Sequence, residues 1–252
     1  MRLLCVTAHP DDEAASFGGT LRLYHERGVD TSLLCLTPGQ AASNRGATRS
    51  DKELSAVRKK ELAASCDLLG IREHLVLDYS DGKLHRLDLY RIVDDITRSI
   101  RHFRPHIVLT FGPEGAVTAH TDHAMVSIFT TLAFQWSAHS NRYPDQFNDG
   151  LEPHRAQKLY YATANFTMQG RQPIAPPPAT AVIQIGDYLD TKVAAFQAHT
   201  TQSPVFPTVI PKILARGREE RFHLVARSEP SDIKLETDLF EDVREDGVTN
   251  QN

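Results

Sequence analysis

Cysteine is scarce in this chain. There are three in 252 residues, Cys5, Cys35 and Cys66, with no Cys-x-x-Cys pair and no even set to build a disulfide framework. Cys5 and Cys35 sit in apolar runs and Cys66 in a helical pattern, so all three read as buried thiols of a reduced, cytoplasmic protein. Long hydrophobic runs are missing as well. No stretch approaches the ~18 apolar residues that span a bilayer. The opening MRLLCVTAHPDDE has one basic residue and too short an apolar run for a signal peptide. A positive excess is also absent: the formal net charge is −4, which offers no basic field to nucleic acid or anionic lipid. Gly18-Gly19 is not a GxGxxG, so a dinucleotide site has little support.

What is present is an ordinary globular composition, 40% hydrophobic, enough for one large domain with a normal core. The acid is uneven. Residues 229–252 hold eight Asp/Glu against two Lys/Arg, which reads as a solvated acidic tail after a domain of residues 1–228. Histidine is abundant, with twelve. His25, His74, His85, His102, His139 and His154 lie in polar company and are expected at the surface.

Apolar runs and helical spacing alternate along the first half. Residues 2–8, 30–37, 74–77 and 106–111 have strand character. Residues 14–27, 51–69 and 86–103 have helical spacing, as in Leu54, Val57, Leu62, Cys66 and Leu69. Such alternation predicts a parallel sheet with helices on both faces. Gly18-Gly19 would permit close packing of the first helix on that sheet. Further on, a helix is expected over 121–137, strands over 157–163, 182–185 and 220–227, and a helix over 187–199. The proline-rich stretch 171–180 cannot hold regular structure, and Pro204, Pro207 and Pro211 are expected to break the chain between 200 and 220. The core is then 1–170, and a smaller portion, 180–228, shapes the pocket.

In a parallel sheet the functional crevice lies beyond the carboxyl ends of the strands. That topology places AHPDDE (8–13), after the first strand, and FGPEGAVTAH (111–120), after the fourth, on one rim. His9 and Asp12, three apart across a strand-to-helix turn, can converge on one ion, and HTDH (120–123) can add one further imidazole. Two histidines and one carboxylate with an open position is a catalytic zinc arrangement. The same set also suits ferrous iron. Asp11 would stand beside the open position, placed to take a proton from water whose pKa zinc lowers to about 7. His120 would face it from the other side, to stabilise an oxyanion or protonate a leaving amine. Asp122 would either accept the second N–H of His120 and raise its pKa, or orient His123. The competing reading of His-Pro-Asp-Asp alone is a helix N-cap.

AHPDDEAASFGGTL, RKKELAASCDLLGI, PHIVLTFGPEG and HTDH together resemble the LmbE-like, PIG-L-type deacetylases, over roughly residues 1–125, with a weaker echo in KVAAFQAHTTQ (192–202). The resemblance implies a Rossmann-like α/β fold and metal-dependent removal of an acetyl group from an N-acetylglucosaminyl compound. It implies His9, Asp12 and His123 as zinc ligands and Asp11 as general base. It also implies His120 as the oxyanion stabiliser with Asp122 its partner, and Arg58 and Asp81 as substrate contacts. Arg58 could instead form an i,i+3 pair with Glu61, and Asp81 a plain Asp-Gly turn. His199 is carried over only weakly and reads as a structural histidine. Where relatives carry a TxGExG-like run, this chain has TPGQAAS, with Gln40 in place of the glutamate, so substrate identity is the least determined property. The expected partner is a small acetylated amino sugar, not nucleic acid or membrane, with homo-oligomerisation possible. An amidase acting on a larger conjugate, and a non-catalytic sugar- or nucleotide-binding module, are the alternatives.

Overall fold

The protein, seen in a computed structural model, is described at residues 1–168, 170 and 172–245. Its layers follow from period-two alternation in short apolar runs. In β1 (Arg2–Thr7), Leu3 and Cys5 enter one core, and Leu4 and Val6 enter the other. β2 (Asp30–Cys35) and β4 (Ile107–Phe111) divide in the same way: Leu33, Cys35, Ile107 and Leu109 go to the first core, Leu34 and Val108 to the second. Strands buried on both faces need helices on both sides. α1 (Asp12–Glu26) and α2 (Asp51–Leu69) cover the first face with Phe17, Leu21, Tyr24, Leu62, Cys66 and Leu69. α3 (Leu89–Phe103) and α4 (Thr121–Trp136) cover the second with Ile92, Ile96, Ile100, Val126, Phe129 and Ala133. Each Val, Leu, Ile or Phe among them contributes ~1.5–3 kcal/mol relative to exposure.

With β3 (Glu73–Val76), β5 (Lys158–Thr163), β6 (Ala181–Gln184) and β7 (Glu219–Arg227), the sheet has seven strands in the order β3-β2-β1-β4-β5-β7-β6. All pairs are parallel except those that β7 makes with β5 and β6. The order reverses between β1 and β4. Their outgoing turns therefore diverge to opposite faces and leave a crevice between them, the place where open α/β sheets hold ligands. AHPDDE and HTDH flank that crevice.

Four local expectations need correction. First, a helix, α6 (Phe206–Arg216), runs through the prolines meant to break it. Pro207 stands in its first turn, where no N–H is needed, and Phe206, Val209, Ile210 and Ile213 pack on the core despite Pro211. Second, His154 is buried, with Nε2 at 2.7 Å from the Pro105 carbonyl. Third, the glycine pair serves a helix as well as the sheet: the Gly19 amide donates to Glu220 on β7 at 3.0 Å and a Cβ there would overlap Ile185 just past β6, while one on Gly18 would meet Lys192 of α5 (Leu189–Gln197). Fourth, the acidic tail is solvated only over residues 229–235, and from Glu236 it folds back on the domain. Glu236 and Leu239 are buried, Glu236 pairs with Lys158 on β5, and its backbone bridges Ala181 on β6. A carboxylate finding a buried ammonium explains why an acidic segment folds inward. Residues 246–252 of that tail lie outside the described residues. No described helix is long and apolar enough to cross a membrane.

Candidate active site

β1 ends at Thr7, and the chain must turn sharply to start α1. Asp11 makes that turn in the left-handed region, at φ 106° and ψ −25°, unusual for a residue with a Cβ and a mark of local strain. Asp12, the first residue of α1, folds back: its Oδ2 accepts from the amides of Ala8 (3.2 Å) and His9 (2.9 Å). Its Oδ1 lies 3.0 Å from His123 Nε2, and its Oδ2 is 3.5 Å from His9 Nδ1. One carboxylate therefore touches an imidazole from each side of the crevice.

The second side is built by a tight loop. Gly115, Ala116 and Ala119 all have positive φ, and the His120 amide donates to the Gly115 carbonyl at 2.9 Å. A Cβ at Gly115 would strike the His120 backbone, so glycine is required for the loop to close. His120 then caps α4: its Nδ1 accepts from the Asp122 amide at 3.2 Å. His123, one turn into α4, stacks on Phe111 at 4.1 Å between centroids and 10° between planes. The three rings converge, with centroids 4.8 Å (His9–His120), 5.4 Å (His9–His123) and 5.0 Å (His120–His123) apart. A donor atom from each of the three lies within 4.8 Å of the others.

The electrostatics suit a cation. Burial works against charge on His9, but hydrogen bonds to Asp12, Asp122 and Asp81 outweigh it and hold the imidazole well above its ordinary range. Burial also opposes the Asp12 charge, and His123 and His9 more than offset it, leaving that carboxyl well below the usual range. His120 is pushed down, first by burial and then by the facing charges of His9 and His123. Burial pushes Asp11 up to about 6, with Arg58 pulling the other way and Asp12 adding to the rise. Imidazole and carboxylate donors meeting in a buried cluster are the chemistry that divalent zinc or iron takes. The residues present fit such an ion.

Asp122 does not pair with His120 through its carboxylate. Oδ2 accepts from Gly82 N (2.6 Å) and lies 3.3 Å from His9 Nε2, while Oδ1 accepts from Leu84 N (3.2 Å). The amide of Asp122, not its side chain, meets His120, and the rise that the Asp122 charge favours is outweighed by burial and by His9 and His123. Nor does Asp122 orient His123, whose Nδ1 is buried without a hydrogen bond. Asp81 sits in its Asp-Gly turn and is also part of the rim: Oδ1 lies 3.0 Å from His9 Nε2, and Oδ2 accepts from Ala41 N at 2.9 Å.

Arg58 is 3% exposed and turned inward. Nη1 donates to the Gly39 carbonyl at 3.0 Å, and Nη2 donates to Asp11 Oδ2 at 3.1 Å and to the Pro10 carbonyl. The pair with Glu61 is not made, because Glu61 accepts from Thr200 and Thr201 instead. Sequence reasoning gave no role to Glu13, which is wholly buried beside Asp11. A third carboxylate in AHPDDE, inside the first turn of α1, was the available signal. The crevice opens into a cleft of about 410 Å³ lined by Gly82, Thr118, His120, Asp122 and Gln172, a size suited to a small molecule.

Comparison with known proteins places the chain in a family. Residues 4–134 match the family model described as PIG-L: GlcNAc-PI de-N-acetylase. A 1D-myo-inositol 2-acetamido-2-deoxy-alpha-D-glucopyranoside deacetylase of Rhodococcus jostii is 31% identical, across 95% of this chain and 97% of that protein. The corresponding deacetylase 2 of Catenulispora acidiphila is 29% identical, across 94% and 96%. Among solved structures, the N,N'-diacetylchitobiose deacetylase of Pyrococcus horikoshii superposes with a TM-score of 0.74 at 23% identity, covering 89% of this chain and 83% of that one, and so shares the fold. With the model spanning more than half of its residues and including both histidine clusters, this chain belongs to the PIG-L, GlcNAc-PI de-N-acetylase, family.

Proposed function

We propose that this protein, a deacetylase by family, removes the acetyl group from an N-acetylglucosaminyl compound, using zinc, or ferrous iron in its place, held by His9, Asp12 and His123. The observation that carries the reading is the meeting of His9 and Asp12 from the β1 turn with His120 and His123 from α4, beside a carboxyl pushed up to about 6. A divalent cation bound there polarises the amide carbonyl and brings the pKa of water close to neutrality.

The chain's own residues supply the rest. Asp11 accepts the proton as water attacks the acetyl carbon, and its raised pKa suits a base that must later act as an acid. Arg58 keeps Asp11 ionised above that value and aims its Oδ2. Because Nδ1 of His120 accepts from the Asp122 amide, the neutral ring carries its proton on Nε2, free to donate to the developing oxyanion. The C–N bond then breaks, Asp11 returns the proton to the nitrogen, and acetate and a free amine leave. Asp81 and Asp122 hold His9 in place, and the polar cleft beside His120 accommodates a sugar. Three buried, unpaired cysteines accord with a cytoplasmic setting.

The test is metal analysis of purified protein, with acetate and amine release measured in parallel on N-acetylglucosaminyl compounds and on a larger amide conjugate. One acetate per amine from the acetylated sugar, abolished by a chelator and restored by zinc, is expected. Amine release without acetate would make the protein an amidase of larger conjugates. Binding of the sugar to metal-loaded protein without hydrolysis would make it a binding module.

A further inference from the structure

Asp11 is held by two arms, and both lead to one short segment far along the chain. The first arm reaches its backbone. The Asp11 amide donates to Glu13 Oε2 at 3.0 Å, inside the turn that keeps Asp11 left-handed. Glu13 is fully enclosed, and its Oε1 accepts from Ser65 Oγ at 2.6 Å and faces His199 Nε2 at 2.7 Å. His199 is fully enclosed as well, and its Nδ1 has no hydrogen bond, so Glu13 is its polar anchor. The second arm reaches the carboxylate through Arg58 on α2. One turn further along α2, Glu61 accepts from Thr200 Oγ1 (2.6 Å), Thr201 N (2.7 Å) and Thr201 Oγ1 (2.6 Å). Residues 199–201 thus hold both the carboxylate behind the Asp11 backbone and the helix that carries its guanidinium.

This arrangement exceeds what folding a turn requires. An aspartate at φ 106° returns to negative φ unless its surroundings over-determine it. Burying a carboxylate and an imidazole side by side is costly unless the two satisfy each other. We propose that Glu13 and His199 are a positioning pair for the general base: His199 fixes Glu13, and Glu13 fixes the Asp11 amide, so residues 199–201 set the aim of Asp11. The inference rests on Asp11 acting as the base proposed above.

The test compares Asp11→Asn, Glu13→Ala, Glu13→Gln, His199→Ala and His199→Gln, with kcat, KM, bound metal and Tm measured for each, and a crystal structure of His199→Ala. Misplacing a base by about 1 Å costs on the order of 100-fold. Glu13→Ala and His199→Ala should lose kcat on that scale, with KM and metal stoichiometry within about twofold of wild type. Glu13→Gln keeps an oxygen for the Asp11 amide, and His199→Gln keeps a donor for Glu13; each should recover most of the rate. In the His199→Ala structure Asp11 should have left its positive φ. A lower Tm with unchanged kcat per folded molecule, or loss of bound metal, would overturn the proposal. Full turnover in Asp11→Asn would instead overturn the role of Asp11 itself, a distinct result.

Discussion

Two of the buried polar clusters among the described residues are built on opposite principles. In the clasp under the C-terminal segment, Lys158 and Glu236 are each 1% exposed and 2.7 Å apart. The remaining Lys158 donors go to the carbonyls of Leu239 (3.1 Å) and Glu241 (2.5 Å), and the second Glu236 oxygen takes the Tyr160 hydroxyl. One cation meets one anion, and every bond closes within the protein. At the rim, Asp11, Asp12, Asp81 and Asp122 crowd around three imidazoles with a single guanidinium among them. A cluster that closes on itself adds structure and has no chemistry left to offer. One that keeps excess negative charge and convergent donors is arranged for a cation that the chain does not itself provide.

The sharpest way to break this contrast is to remove one carboxylate from each cluster. Asp12→Ala should lose bound metal and lower kcat/KM by about a thousandfold or more, equivalent to the several kcal/mol of charge stabilisation the ion supplies. The Tm of the metal-free protein should move little, since His9 keeps Asp81 and Asp122 as partners once Asp12 is gone. Metal analysis and chelator-treated melting curves check both halves. A metal-replete Asp12→Ala protein would show the rim to be another clasp.

Glu236→Ala should act the other way. It leaves Lys158 buried without a counter-charge, and stability should fall by about 3–5 kcal/mol while kcat per folded molecule is unchanged. Denaturant melts read the first quantity and active-site-normalised rates the second. The double variant Lys158→Met with Glu236→Leu should recover much of the loss, because an apolar pair of similar volume carries no desolvation cost. Failure of that recovery would mean the clasp contributes more than a closed ion pair.

The rim was largely legible in the sequence, and the clasp was not. Strand-helix alternation to residue 111 is a local property: Leu3, Leu4, Cys5 and Val6 declare a doubly buried strand by themselves, and topology then puts AHPDDE and HTDH at one crevice. Lys158 and Glu236 declare nothing locally. Each is an ordinary charged residue until β5 pairs antiparallel with β7 and the tail turns under them, with 78 positions between the two. Glu13 stayed silent for the same reason, its partners Ser65 and His199 standing 52 and 186 positions away. α6 was hidden because packing of Val209 and Ile213 overrides the proline signal. Arg58 was found, but its direction was not, since only the fold shows Pro10, Asp11 and Gly39 around its guanidinium.

Titration separates the clusters further. Burial pushes the Asp11 carboxyl of the metal-free protein up to about 6; catalysis needs it ionised and a bound cation favours that form, so the acid limb of kcat/KM should lie at or below pH 6. Arg58 pulls that value down. Arg58→Met should therefore move the acid limb to higher pH and lower the rate at pH 7 more than at pH 9. An acid limb that stays put in Arg58→Met would dissociate Arg58 from the base, whatever the distance between them.

The smallest effect concerns stability, and its sign is the informative part. A carboxyl whose folded-state pKa is raised from 3.8 to about 6 binds its proton more tightly folded than unfolded. The stability tied to that proton is complete below pH 3.8 and is lost as pH rises through about 6. At pH 8 the ionised Asp11 therefore strains the metal-free native state, both electrostatically and through its positive φ. Asp11→Asn removes the charge and places there a residue better tolerated at positive φ. Metal-free Asp11→Asn should melt about 2–4 °C above wild type at pH 8, the shift that ~1 kcal/mol produces in a chain of this size. The gain should shrink toward pH 4, where wild-type Asp11 is protonated. Glu236→Gln should instead melt below wild type at pH 8, because the clasp depends on the charge that the rim endures. If both variants moved Tm in the same direction, the division between a self-closing cluster and one open to a cation would fail.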